Sequence, residues 1–150
     1  MVGRRKRYAL ADTAQQLVGG FLLAGPFVVT EEVWVLAANM TVWHALVTIA
    51  IVFGIGYGAL YKADDDRDPD REAELGGIPL RFLSLMVVAY GSVTILALAF
   101  AAPTTFLVGA DAILADPDPP MAVVAEATGK AITVGAIFSV VGAATADSVF

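Results

Sequence analysis

The chain of 150 residues has no cysteine and a single histidine, His44. The absence of cysteine excludes disulfides, thiolate metal sites and cysteine nucleophiles. One histidine excludes a metal site built from several histidines of one chain, so neither a metal nor a cofactor is predicted. Only three lysines occur, and the net charge of −6 does not provide the basic patch of a nucleic-acid-binding protein. No nucleic-acid partner is therefore expected.

Apolar residues make up 58% of the chain, above the roughly 45–50% of soluble domains. They are concentrated in blocks that each reach the length of about 20 residues that a membrane helix needs. The sequence therefore predicts an all-α, polytopic membrane protein in the lipid bilayer, with a single domain formed by a bundle of four transmembrane helices. The predicted helices cover residues 16–38, 42–61, 82–102 and 121–146.

The positive charges indicate the orientation of these helices. With the amino terminus in the cytoplasm, eight of the nine Lys and Arg residues fall on the cytoplasmic side, and only Lys130 does not. A multi-pass protein of the cell membrane with both termini cytoplasmic is therefore expected. A signal peptide is the alternative interpretation of the basic residues 4–7. The following apolar run is too long for one, and no convincing cleavage site follows it.

Acidic residues are concentrated in the predicted cytoplasmic loop 63–78, where residues 63–74 hold seven of the fifteen acids. The alternating aspartates resemble a calcium-binding loop. With Asp64 in the first position, the required glycine and bidentate acid fall on Pro69 and Leu75, so that motif fails. A solvated loop is favoured instead. The acidic, lysine-poor composition also suggests a salt-adapted, halophilic organism.

Glu31 and Glu32 are adjacent acids inside the first apolar block, where an ionised carboxylate costs about 2.5–3.5 kcal/mol on insertion scales. Helical spacing places Glu31 on the small-residue face of that block, which is expected to point inward. With Thr30 beside them, the acids are candidates for a cation or proton pathway. The alternative is that both reach outer water, because the interfacial residue Trp34 follows closely.

Glu126 and Lys130 are spaced i, i+4 near the start of the fourth helix, a spacing that favours an ion pair. They are included among the ion-pathway candidates. Two interpretations remain open: the pair satisfies itself at the membrane edge, or Lys130 reaches Glu31 or Glu32 across the bundle and controls their charge.

Proline and small residues predict the bundle's shape and contacts. Pro26 is expected to kink the first helix or to leave it locally unwound. Small residues four apart allow helices in lipid to approach closely, and this favours helix packing over a potassium-filter interpretation of residues 55–58. The residues predicted to pack are Gly20, Ala24, Gly54, Gly58, Gly135 and Gly142.

Polar and aromatic residues at the helix ends are expected at the membrane interface. Trp34 and Trp43 flank the first outer loop, as an aromatic belt would. Residues 104–114 suggest a short outer helix. The polar side chains assigned to the interface are Asp12, Gln15, Gln16, His44 and Asp147.

The first block also resembles the hallmark of a family of prokaryotic integral membrane proteins, domain of unknown function 2391. The matching residues are Gly20, Pro26, Thr30, Glu32 and Trp34. Glu31 occupies a position that is usually apolar in that hallmark. The resemblance implies a polytopic membrane protein without an established activity, and it points to Glu32 where the helical face favours Glu31.

Two functions agree with these patterns. The first is a small cation or proton channel or transporter that uses intramembrane carboxylates. Because four helices leave little room for a central pathway, it is expected to act as a homo-oligomer. The second is a non-transporting structural or partner-binding membrane subunit. An enzyme is not predicted, because no nucleophile–base pair is visible in the sequence.

Overall fold

The computed structural model describes residues 10–62 and 74–149, and every long element in it is a helix. The basic residues 4–7 and most of the acidic run lie outside the described residues. The helices are α1 (Leu10–Val28), α2 (Glu31–Asn39), α3 (Val42–Tyr57) with a π-helical extension (Gly58–Lys62), α4 (Leu80–Ala99), α5 (Ala102–Leu107) and α6 (Met121–Val149).

Three of these helical segments are long and apolar enough to cross a membrane: Val42–Tyr61, Leu80–Ala99 and Met121–Asp147. A fourth span exists if α1 and α2 are counted together. The predicted all-α polytopic membrane fold therefore fits the structure.

The first span is not the single helix predicted over residues 16–38. It consists of α1 and α2, which meet at an angle of 81°. Pro26 lies inside α1 and has no N–H to donate, so the last turn of that helix is already weakened. The chain leaves the helical conformation three residues later, and Thr30 has extended dihedrals of φ −100° and ψ 136°. The break therefore follows Pro26, where the sequence predicted a kink or local unwinding, and it turns the chain sharply.

The remaining elements differ from the predicted ones mainly at their ends. Helix α4 stops at Ala99, before the predicted residue 102, and the chain reverses at Ala101 with a left-handed φ of 52°. The outer helix suggested by the sequence is α5, which ends at Leu107. In the acidic loop, Gly76 and Gly77 have positive φ and connect a two-stranded hairpin, β1 (Glu74–Leu75) and β2 (Ile78–Pro79).

Helices α1, α4 and α6 form the centre of the bundle, and α1 packs most extensively against α6. Helices α2, α3 and α5 add buried residues to the core. Helices α1 and α6 meet at Gly19 and Gly142, where a Cβ atom on either residue would lie within 2.2 Å of the other residue's carbonyl oxygen. Such backbone contact is what small residues permit in membrane bundles. Helix α3 lies at the periphery, and only Val52 and Gly56 of its residues are buried.

Candidate functional site

The bend between α1 and α2 is held by hydrogen bonds to the last carbonyls of α1. Thr30 donates to the Phe27 carbonyl from both its hydroxyl (2.9 Å) and its backbone N–H (3.2 Å). The Trp34 indole N–H donates to the Val28 carbonyl at 2.9 Å. Helix ends leave such carbonyls without helical partners, so these side chains replace the donors that the break removes. Most of the hallmark residues thus build the bend itself.

Trp34 is almost completely buried, with 1% of its surface exposed. It stacks on Phe106 of α5 with ring centroids 5.8 Å apart. The Trp34 ring is therefore covered by protein and does not face outward from the bundle, as a side chain of an exposed aromatic belt would. Trp43, in contrast, is 76% exposed.

Glu31 and Glu32 form the first turn of α2, directly after the bend. Both side chains are exposed, and they line an open hollow together with Val35 and Leu36 of the same helix. The prediction that Glu31 points inward is wrong because the helical wheel was continued across the break. The helix dipole favours acidic residues in the first turn of a helix, and both acids occupy that turn of α2.

Lys130 does contact Glu126, as the i, i+4 spacing predicted. Its second contact was not predicted: the ammonium group donates to the Met40 carbonyl at 2.6 Å. Met40 ends α2, and its own N–H bonds to the Ala37 carbonyl. Lys130 is therefore bound to the carboxyl-terminal end of α2, whereas Glu31 and Glu32 lie at the amino-terminal end.

The residues predicted to pack divide into two groups. Gly20, Ala24, Gly135 and Gly142 are buried at helix contacts. At Gly20 an added Cβ would lie 2.9 Å from the hydroxyls of Ser92 and Ser139. Gly54 and Gly58, in contrast, have no atom of another described helix within 4 Å of a Cβ position. Within the described residues, the packing predicted for these two glycines of α3 and its extension is not found.

A second group of polar residues meets at the other end of the bundle, and it includes Asp12, Gln16 and Asp147, which the sequence assigned to the interface. Arg81 of α4 donates to Asp147 of α6 at 2.7 Å and to Asp12 of α1 at 3.3 Å. Arg81 and Asp147 are buried. We call this group, with its neighbours Thr13, Gln16 and Ser84, the Arg81 cluster. An ion pair of this kind stabilises a bundle only when all its members remain in place.

The neighbours extend the Arg81 cluster one turn further along the helices. The Ser84 hydroxyl donates to the Gln16 amide oxygen at 2.9 Å and lies 3.3 Å from the Thr13 hydroxyl. Gln16 has no exposed surface, so at this end of the bundle its side chain is turned toward the neighbouring helices. Deeper in the bundle, the Ser92 and Ser139 hydroxyls are 2.7 Å apart. On α4, Ser92 follows Ser84 by eight residues, and on α6, Asp147 follows Ser139 by eight residues. This spacing places both members of each pair on one face of their helix.

The two polar regions contact α6 at separate positions along its length, Lys130 in its first half and Asp147 near its end. The segment from Lys130 to Asp147 rises about 26 Å at 1.5 Å per residue, close to the thickness of a hydrocarbon core. The bend, α2 and Lys130 therefore mark one boundary of the bundle, and the Arg81 cluster marks the other.

A helical bundle with several apolar spans and polar groups at both ends defines a polytopic integral membrane protein. The family model described as "Putative integral membrane protein (DUF2391)" matches residues 3–149, and the chain belongs to that family. The resemblance seen in the first apolar block is thereby confirmed. No curated protein and no solved structure matches the chain.

Proposed function

We propose that the protein moves protons or small monovalent cations across the membrane, and that Glu31 and Glu32 receive the ion. The observation that carries the proposal is the broken first span, which presents both carboxylates in an open hollow at one boundary of the bundle. Membrane transporters commonly build ion sites where a helix is interrupted, because helix ends present uncompensated backbone charge.

The pathway is proposed to form between copies of the chain. Contact between the Gly19 and Gly142 backbones closes the space between α1 and α6 within one protomer. The hollow beside Glu31 and Glu32 instead opens on the surface, where Val35 and Leu36 are also exposed. A homo-oligomer would enclose these carboxylates and shield the apolar side chains around them.

Ion flux into liposomes tests this proposal. The purified protein is reconstituted into vesicles that contain a pH-sensitive dye, and proton flux is measured under imposed gradients of protons, sodium or potassium. The Glu31→Gln/Glu32→Gln double variant is expected to abolish the flux, and the two single variants show which carboxylate carries it. Asp111→Asn is the control, since it removes an exposed acid outside the hollow. Flux that persists in the double variant refutes the role of these acids.

A non-transporting, partner-binding membrane subunit is the second candidate. It is favoured by the exposure of α3, whose Gly54 and Gly58 have no atom of another described helix near a Cβ position. Extraction in a mild detergent, followed by mass measurement of the intact complex, distinguishes the two functions. A stable complex with a different protein supports the second, and copies of this chain alone count against it.

A further inference from the structure

Helix α2 is attached to the rest of the bundle at each of its ends by a side chain that binds a backbone carbonyl. At the beginning, the Trp34 indole holds the Val28 carbonyl, the last residue of α1. At the end, the Lys130 ammonium holds the Met40 carbonyl. Between these points, Val33, Trp34 and Ala37 are buried. The opposite side of the helix carries Glu31, Glu32, Val35 and Leu36.

We propose that Lys130 is a positioning residue for Glu31 and Glu32, acting through α2 from its far end. The effect of Lys130 on transport rests on the proposed function. The structural claim, that Lys130 anchors α2, does not depend on any ion flux. It replaces the expectation that Lys130 controls the charge of these acids by direct contact.

The burial of Lys130 and its hydrogen bond to Met40 allow it to hold the carboxyl-terminal end of α2 in place. Its side chain is 12% exposed, although it carries a charge, and the Met40 carbonyl is one of the groups that a helix end leaves without a helical partner. A cation at a helix carboxyl terminus also opposes the negative end of the helix dipole. Glu126 contacts the same ammonium group but is itself mostly exposed, so it orients Lys130 and does not touch α2 through this bond.

Electron paramagnetic resonance distances test the structural part. The chain has no native cysteine, so Leu36→Cys on α2 and Val87→Cys on α4 give two unique sites for spin labels on exposed positions. Labelled protein is diluted with unlabelled protein to suppress distances between copies. We expect a narrow distance distribution, a broadened one in Lys130→Met, and recovery of the narrow one in Lys130→Arg. Glu126→Gln is the matched control and is expected to leave the distribution narrow.

Transport measurements test the consequence. If Lys130 only positions the acids, Lys130→Met is expected to raise the half-saturating cation concentration several-fold while the maximal flux per folded protein changes little. Lys130→Arg is expected to restore the wild-type value. A variant that merely lowered the amount of folded protein would reduce maximal flux and leave half-saturation unchanged.

The outcomes separate the two proposals. A broad distribution in the otherwise unaltered labelled protein overturns the anchoring of α2, as does a narrow one in Lys130→Met. Neither result depends on flux. If the distance distribution is narrow in the labelled protein and broadened in Lys130→Met, but no flux is found in any sample, the anchor is supported and the transport function is refuted. An unchanged half-saturation in Lys130→Met, beside a broadened distribution, shows that α2 moves without affecting the acids and overturns the positioning role.

Discussion

Trp34 shows how a single side chain can determine the course of the backbone. A carbonyl that is buried without a donor costs about 1–3 kcal/mol, and a helix that breaks inside an apolar region exposes several of them. The indole N–H reaches back over six residues to the Val28 carbonyl, while the ring fills the space against Phe106. The tryptophan therefore supplies both a hydrogen bond and packing at the bend.

Replacement of Trp34 by phenylalanine is expected to lower the stability of the protein by about 1–3 kcal/mol, because the Val28 carbonyl loses its donor. The measurement is thermal or denaturant unfolding in detergent, followed by circular dichroism. Trp43→Phe is the matched control, since Trp43 is exposed, and it is expected to change stability by less than about 0.5 kcal/mol. Equal effects of the two substitutions would contradict the role assigned to Trp34.

At this scale, the sequence predicts what depends on short separations. The Glu126–Lys130 contact follows from a spacing of four residues and is found. The inward direction of Glu31 also relied on helical spacing, but it failed because the helix ends between Val28 and Glu31. Contacts such as Arg81–Asp147 join residues 66 positions apart. Nothing local in the sequence specifies such a pair, because it depends on which helices become neighbours.

Among the helices, α1 and α6 approach most closely at two glycines. Gly19 and Gly142 let the backbones touch, and Gly56 of α3 faces Met86 of α4. Gly54 and Gly58, in contrast, have no atom of another described helix within 4 Å of a Cβ position. Small-residue spacing predicted several packing positions without distinguishing these cases. The pattern shows that a helix has a small face, but which partner covers the face is decided by the whole arrangement of helices.

Gly142→Ala is expected to destabilise the bundle by more than about 1 kcal/mol, because the new Cβ would lie 2.2 Å from the Gly19 carbonyl oxygen and the helices must separate. Gly54→Ala is the control: no atom of another described helix lies within 4 Å of its Cβ position. It is expected to leave stability unchanged or slightly increased, since alanine favours helix over glycine. Unfolding of both variants in the same detergent checks the difference, and a larger loss for Gly54→Ala would refute this assignment.

The lengths of the helices were more predictable than the way the chain moves between them. Hydropathy identifies four apolar blocks because a helix that crosses the bilayer needs a minimum length of apolar residues. The 81° turn after α1 was not predicted. Pro26 signals an irregularity, but the direction and place of the turn depend on Thr30 and Trp34, whose hydrogen bonds form only after the chain has folded back.

For the whole molecule, the uneven distribution of positive charge predicts the orientation in the membrane. In this orientation Leu75 of the hairpin is expected on the cytoplasmic side and Asp111 of the loop before α6 on the outer side, and both residues are exposed. Each can be replaced by a cysteine that is unique in the chain. In intact cells, a membrane-impermeant maleimide is expected to label Asp111→Cys and to spare Leu75→Cys until the cells are opened. The reverse pattern would show that the termini face outward.

The contact between α1 and α6 also has a consequence for the order in which the molecule is made. These helices stand at the two ends of the described chain, yet each is the other's most extensive neighbour. During synthesis, α1 must enter the bilayer long before the ribosome has produced Gly142. Until α6 has been made, the glycine face of α1 and the carboxylate of Asp12 therefore lack their partners on that helix, and lipid or an insertion factor must cover them. Nascent chains released before α6 would keep this surface uncovered, a feature by which membrane quality control can recognise unfinished copies.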